Sequence, residues 1–171
     1  LERQGGGAEA IDKAAKLLSN AKFPVILSGA GVVIGDAINE TKKLAEKLDS
    51  PVCSGYQHND SFPGSHPLAV GPLGYNGSKA AMELISKADV VLALGTRLNP
   101  FSTLPGYGID YWPKNATIIQ VDMNPDRIGL TKKVTVGICG DAKQVAQQIL
   151  DKLSSDAGNS GCLLYTSDAA D

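Results

Sequence analysis

"PVILSGAGVVIGDA", residues 24–37, joins two patterns in one stretch. Pro24 opens a short aliphatic run, which reads as a buried strand over Val25–Ser28. Gly29-Ala-Gly31 then turns the chain. Ile38, Thr41, Ala45 and Leu48 follow at helical spacing, with Asp36 placed to cap their helix. Working outward, the alternation continues. Ala8, Ile11, Ala15 and Leu18 form a helical stripe before the strand, and Val52-Cys53-Ser54 reads as a second strand after it. "DVVLALG", residues 89–95, carries a continuous apolar run, Val90–Leu94, as a strand in a parallel sheet does when both of its faces are covered. "TIIQVD", 117–122, reads the same way, and Val134–Ile138 is a last strand. Ser78 caps a helix running to Ala88, and Asn124-Pro125 opens a short helical turn. Asp141 with Gln144 resembles a capping box for a helix carrying Val145, Ile149 and Leu153. Residues 55–77 and 96–115 lack periodicity and read as long loops, the first with room for one short strand. Strands alternating with helices predict an α/β fold: a doubly wound, mostly parallel, Rossmann-like sheet of about six strands with helices on both faces.

The 171 residues suffice for one domain with a real core. A net charge of −2 leaves no electrostatic footprint for nucleic acid. The longest apolar runs, such as Val90–Leu94, are far short of a membrane span, and no secretory signal opens the chain. Cys53, Cys139 and Cys162 show neither metal-ligand spacing nor a disulfide framework, so a cytoplasmic setting is expected. Residues 1–7, with flexible Gly5-Gly6-Gly7, read as a linker from an N-terminal domain outside this chain. Residues 8–153 are the domain itself. Residues 154–171 read as a linker and a non-native tail that pack against nothing. The final "CLLYTSDAAD" fits no element and resembles translated adapter sequence.

The strands end in Ser-Gly, Ser-Gly, Leu-Gly, Val-Asp and Cys-Gly-Asp. Ligands of doubly wound sheets bind beyond the carboxyl ends of strands, so these small or acidic ends describe a crevice. The dinucleotide fingerprint is incomplete. Position 34 is Ile with Gly35 after it, and the second strand ends Ser54-Gly55 without an acid, which argues against a redox NAD. Gly29 and Gly31 fit two readings: they bring helix N–H groups to an anion, or they only let strand and helix pack closely. Arg97 follows the buried strand, where it suits an anion or a neighbouring domain, or is simply a surface residue. Asp122 suits a ribose hydroxyl or caps the Asn124-Pro125 turn, and Asp141 reads as a helix cap. His58 and His66, with Asp60 nearby, read as locally bonded loop residues rather than metal ligands. Tyr107, Tyr111 and Trp112 anchor a domain interface or pin their own loop. No nucleophile elbow, acid–base pair or metal cluster is legible. The chain's own chemistry is that of a binding or scaffolding module with no catalytic and no metal-ligating residues.

Taken in order, "PVILSGAGV", "GPLGYNGS", "VVLALGTRLNPF", "IIQVDMNPDRIG" and "GICGDAK" resemble the central domain of thiamin-diphosphate enzymes of the acetolactate synthase and pyruvate oxidase group. The likeness covers about residues 8–153. Within the group, "GTRLNPFSTLPGYGIDYWP" and "NPDRIGLTKKV" look most like the sulfoacetaldehyde acetyltransferases. That resemblance implies an enzyme converting sulfoacetaldehyde and phosphate into acetyl phosphate and sulfite, with this fragment inactive alone. Thiamin diphosphate and magnesium would sit on the protein's own N- and C-terminal domains, outside this chain, in a homodimer or homotetramer. Some members carry FAD or ADP on the middle domain. By position, Gly29 and Gly31 match the first-turn glycines, Gly95 and Arg97 the Gly-x-Arg after the buried strand, Asp122 the strand-end acid, and Asp141 the Gly-Asp before the last helix. Acetolactate synthases continue Gly-x-Arg-Phe-Asp-Asp-Arg, whereas here Pro100 replaces the second acid and Phe101 the second Arg. Both changes remove charge, which counts against a keto-acid second substrate and against bound FAD or ADP. An acetolactate synthase-like enzyme and a non-catalytic nucleotide-binding module stay open beside the acetyltransferase. A sirtuin-like reading of "LSGAG" lacks the four-cysteine zinc site it needs.

Overall fold

The computed structural model describes residues 3–158. Six strands form one all-parallel sheet: β1 Pro24–Ser28, β2 Val52–Gly55, β3 Ala69–Leu73, β4 Val90–Leu94, β5 Thr117–Asp122 and β6 Val136–Cys139. Their order across the sheet is β3-β2-β1-β4-β5-β6, so the winding reverses between β1 and β4. The helices are α1 Ala8–Ser19, α2 Ala30–Ile34, α3 Ile38–Leu48, α4 Lys79–Ile85, α5 Pro100–Thr103 and α6 Ala142–Lys152.

The unbroken apolar runs are explained by two cores. Along β1 and β4, Ile26, Val90, Leu92 and Leu94 face one core with Ile11, Leu18, Leu44, Leu48, Val145 and Ile149 from α1, α3 and α6. Val25, Leu27, Val91 and Ala93 face the other, with Met82 and Ile85 of α4 and Tyr111. Period-two side chains in strands covered on both sides leave no polar face to alternate with.

Ser78 caps α4 by accepting from Ala81 N, and Asp141 caps α6 by accepting from Gln144 N, both as the sequence suggests. Asp36 does not cap α3. Ala37 holds that position without a side-chain bond, while Asp36 takes a left-handed backbone (φ 53°) and pairs with Lys143. The cause is α2, a five-residue helix that consumes the residues expected to form a simple turn.

Residues 3–7 are pinned rather than flexible. Gln4 O accepts from Asp141 N (2.7 Å), and Gly5 O accepts from Gln148 Nε2 (3.0 Å). The expectation that residues 154–171 pack against nothing is likewise corrected for 154–158. Ala157 is buried, Ser154 N donates to Ser19 Oγ, and Lys47 Nζ donates to Ser155 O. The "CLLYTSDAAD" tail lies outside the described residues.

Candidate functional site

At the reversal point the ends of β1 and β4 come into backbone contact. Gly29 N donates to Leu94 O (3.1 Å) and Gly31 N to Gly95 O (2.8 Å). A methyl on Gly29 would lie 2.6 Å from Thr96 Cβ, and one on Gly31 2.7 Å from Gly95 Cα. Close packing therefore accounts for both glycines. It also bears on the anion reading, because the amides at the start of α2 already have acceptors: Gly31 N on Gly95 O, and Val32 N on Gly29 O.

Beyond this junction lies a cleft of about 510 Å³. Gly29, Gly31, Gly95, Arg97, Asp122 and Asp141 all line it, so the six residues singled out in the sequence converge on one place. The two acids are already engaged. Asp122 Oδ1 accepts from Asn124 N (2.8 Å), closing the turn after β5. Asp141 Oδ1 accepts from Gln144 N (3.2 Å) and faces Arg3 Nη1 at 3.5 Å. Arg97 is exposed and has no hydrogen bond or ion pair among the described residues.

Sequence reading missed several contributors. Arg3, assigned to the linker, reaches into the cleft and donates to Gly35 O (2.6 Å). Arg127 lines it from the turn after β5. That turn is fixed by Gln120, buried in β5, whose Nε2 donates to Thr96 O (3.1 Å) and Arg127 O (3.2 Å) and whose Oε1 accepts from Gly129 N (2.9 Å). The visible signal was a lone amide inside "TIIQVD". Asn99 and Ser102 also line the cleft, and Asn99 caps α5 by accepting from Ser102 N (2.9 Å), which fixes Pro100 and Phe101 between them. Three guanidinium groups and two carboxylates thus share the cleft, an environment that favours an anion.

The remaining candidates lie apart from the junction or are structural. His58 also lines the cleft and stands 3.7 Å from Asp60. His66 Nδ1 accepts from Leu68 N, which places the proton on Nε2 and makes it the donor to Glu46 at 3.1 Å. Tyr111 is buried in the α4-side core, so it pins its loop rather than facing a neighbour, while Tyr107 is exposed. Lys132 Nζ sits 5.1 Å above the Trp112 ring. Among the described residues no group of three or more His, Cys, Asp or Glu could hold a metal ion, and no helix is long and apolar enough to cross a membrane.

A six-stranded parallel sheet of this order, with a cleft at its reversal point, defines a Rossmann-like α/β domain. The family model described as "Thiamine pyrophosphate enzyme, central domain" matches residues 11–149, and the chain belongs to that family. It is 81% identical over 159 residues to a Rhizobium meliloti (strain 1021) protein named "Probable sulfoacetaldehyde acetyltransferase", covering 93% of this chain and 27% of that one. It is 76% identical to the sulfoacetaldehyde acetyltransferase of Roseovarius nubinhibens, covering 93% and 26%. Proteins named as acetolactate synthase large subunits match at 38–41% identity. A solved structure from Mycobacterium smegmatis, described as that of "a putative thiamin diphosphate-dependent enzyme", superposes with a TM-score of 0.72 at 25% identity, covering 90% of this chain and 29% of that one. The chain therefore spans about a quarter of the length of the curated relatives it matches.

Proposed function

We propose that this chain is the central domain of a thiamin-diphosphate-dependent sulfoacetaldehyde acetyltransferase. The full-length protein would convert sulfoacetaldehyde and phosphate into acetyl phosphate and sulfite. The observation that carries this reading is the 81% identity to the Rhizobium meliloti relative, against 38–41% for the acetolactate synthase large subunits. Exposed Phe101, held between the cleft residues Asn99 and Ser102, supports it, because a phenyl ring offers no charged donor to a keto-acid carboxylate.

Thiamin diphosphate, when bound, supplies the carbanion chemistry of the reaction. Its site and that of magnesium belong, in this reading, to the flanking domains of a cytoplasmic homodimer or homotetramer. The role of the present residues is to build a scaffold with an anion-favouring cleft. The diphosphate of FAD or ADP does not fit the β1 turn well, because the Gly31 and Val32 amides are already bonded. An anion would instead meet Arg97 and Arg127, which line the same cleft from the segments after β4 and β5.

The test uses the full-length protein with sulfoacetaldehyde, phosphate, thiamin diphosphate and magnesium, assaying sulfite and acetyl phosphate. Equimolar release of both is expected, and none from residues 1–171 alone. Condensation of pyruvate to acetolactate without sulfite release would replace the acetyltransferase reading with a synthase. Inactivity in both assays would leave a nucleotide-binding module.

A further inference from the structure

The large apolar side chains left exposed among the described residues are distributed unevenly. Ile34 follows β1, Tyr75 follows β3, Phe101, Leu104 and Tyr107 follow β4, and Met123 and Leu130 follow β5. All lie on segments leaving the carboxyl ends of strands, and none on the outer faces of α1, α3, α4 or α6. Scattered exposed apolar residues mean little, but a contiguous rigid group marks an interface.

Two loops interlock to present the densest part. Tyr75 N donates to Phe101 O (2.9 Å), and Tyr107 Oη donates to Gly77 O (3.1 Å). Gly74, at φ +84°, lies so close that a methyl there would sit 2.1 Å from Phe101 O. The Tyr56 ring stands 6.4 Å from Tyr75 and 6.3 Å from Phe101. Tyr107 holds a left-handed backbone (φ 56°), rare for a bulky residue, with its ring 67% exposed. The aromatic surface is thus preorganised by backbone bonds, and its neighbours Gly55, Gln57, Asn99 and Ser102 line the cleft.

The path of the chain indicates the occupant. Arg3, leading into the domain, lies in that same cleft. Residues 154–158 leave at the opposite end of the sheet, against the ends of α1 and α3. We propose that the collar of Tyr75, Phe101, Leu104 and Tyr107 is the docking face for the polypeptide that precedes residue 1 in the full-length protein. This rests on the reading of the chain as a central domain, and it names the surface and the partner.

The experiment places photoreactive benzoylphenylalanine at Leu104 of the full-length protein. Irradiation is expected to give an adduct of monomer mass, joined to a peptide N-terminal to residue 1. A dimer-mass adduct, a peptide beyond residue 171, or no adduct would overturn the proposal. Hydroxyl-radical footprinting gives a second readout. Tyr75 and Phe101 should be oxidised at least about fivefold more slowly in the native full-length protein than their 58% exposure here implies, normalised to the denatured protein. Oxidation at the rate that exposure implies would also overturn it. Neither readout needs turnover, so an adduct formed by a protein that releases no sulfite would refute the activity alone.

Discussion

Gly31 and Gly95 touch backbone to backbone where the sheet reverses direction. The Gly31 amide donates to Gly95 O at 2.8 Å, and a methyl on Gly95 would lie 2.8 Å from Gly31 Cα. Neither neighbour can yield, because each contact is with main chain, where α2 starts against the segment leaving β4. Gly31→Ala is expected to lower stability by roughly 1–3 kcal/mol, the usual cost of overpacking. Gly95→Ala should cost more, since its φ of +62° adds left-handed strain. Urea unfolding of the two variants checks this, and an unchanged midpoint for Gly31→Ala would remove close packing as the reason for that glycine.

Gln120 offers a separate test of how the cleft wall is held. Its amide bridges Thr96 O, Arg127 O and Gly129 N from a fully buried position. Gln120→Leu fills the space but leaves those groups without a partner, at a cost of about 1–3 kcal/mol for each group that stays buried. The expected signature is local as well as global: faster amide exchange at Gly129 than at Val121, its neighbour in β5. Uniform exchange across both would show that the turn holds without the side chain.

These two sites show what sequence could and could not reveal. Strand β4 was legible because five apolar residues without alternation leave few readings besides a doubly covered strand. Convergence of Gly29, Arg97, Asp122 and Asp141 followed from topology alone, since every strand end of a parallel sheet opens on one edge. The local competition was not legible. Asp36 looked like a cap, but a short apolar helix, α2, preceded it and displaced the cap position to Ala37. Arg3 and residues 154–158 looked like linker because glycine and serine surround them, and their contacts are distant in sequence: Arg3 bonds Gly35 and Asp141, while Ser154 and Ser155 bond Ser19 and Lys47. Tyr111 could not be told from Tyr107 by composition, although one is buried and the other exposed.

The alkaline limb of stability should carry two buried groups. Burial pushes the Cys53 thiol up to about 12 from 9.0 and the Tyr111 hydroxyl up to about 12 from 10.0. The Tyr111 hydroxyl has the Gly74 amide nearby, which offsets this slightly, but closes no well-formed hydrogen bond. In the unfolded chain both groups release protons first, so the folded state binds more protons between about pH 9 and 12. Their contribution is fully present below pH 9 and is lost as pH rises towards 12, at up to about 1.4 kcal/mol per pH unit for each group. Cys53→Ala should flatten that decline while lowering stability at neutral pH through the cavity it leaves. An undiminished slope in the variant would show that Cys53 does not hold its proton in the folded state.

The Arg3–Asp141 contact separates two roles of one carboxylate. Asp141 is almost fully buried and caps α6, whereas Arg3 is close to half exposed and sits at 3.5 Å. The cap should dominate, because an exposed guanidinium is screened by water and salt. Asp141→Ala is expected to cost about 1–2 kcal/mol, and Asp141→Asn, which keeps an oxygen for Gln144 N, much less. Arg3→Ala should change stability by less than about 1 kcal/mol. A double-mutant cycle between the two positions measures the pair directly. A coupling well above about 1 kcal/mol would make the entering segment, rather than the helix cap, the main reason for an acid at position 141.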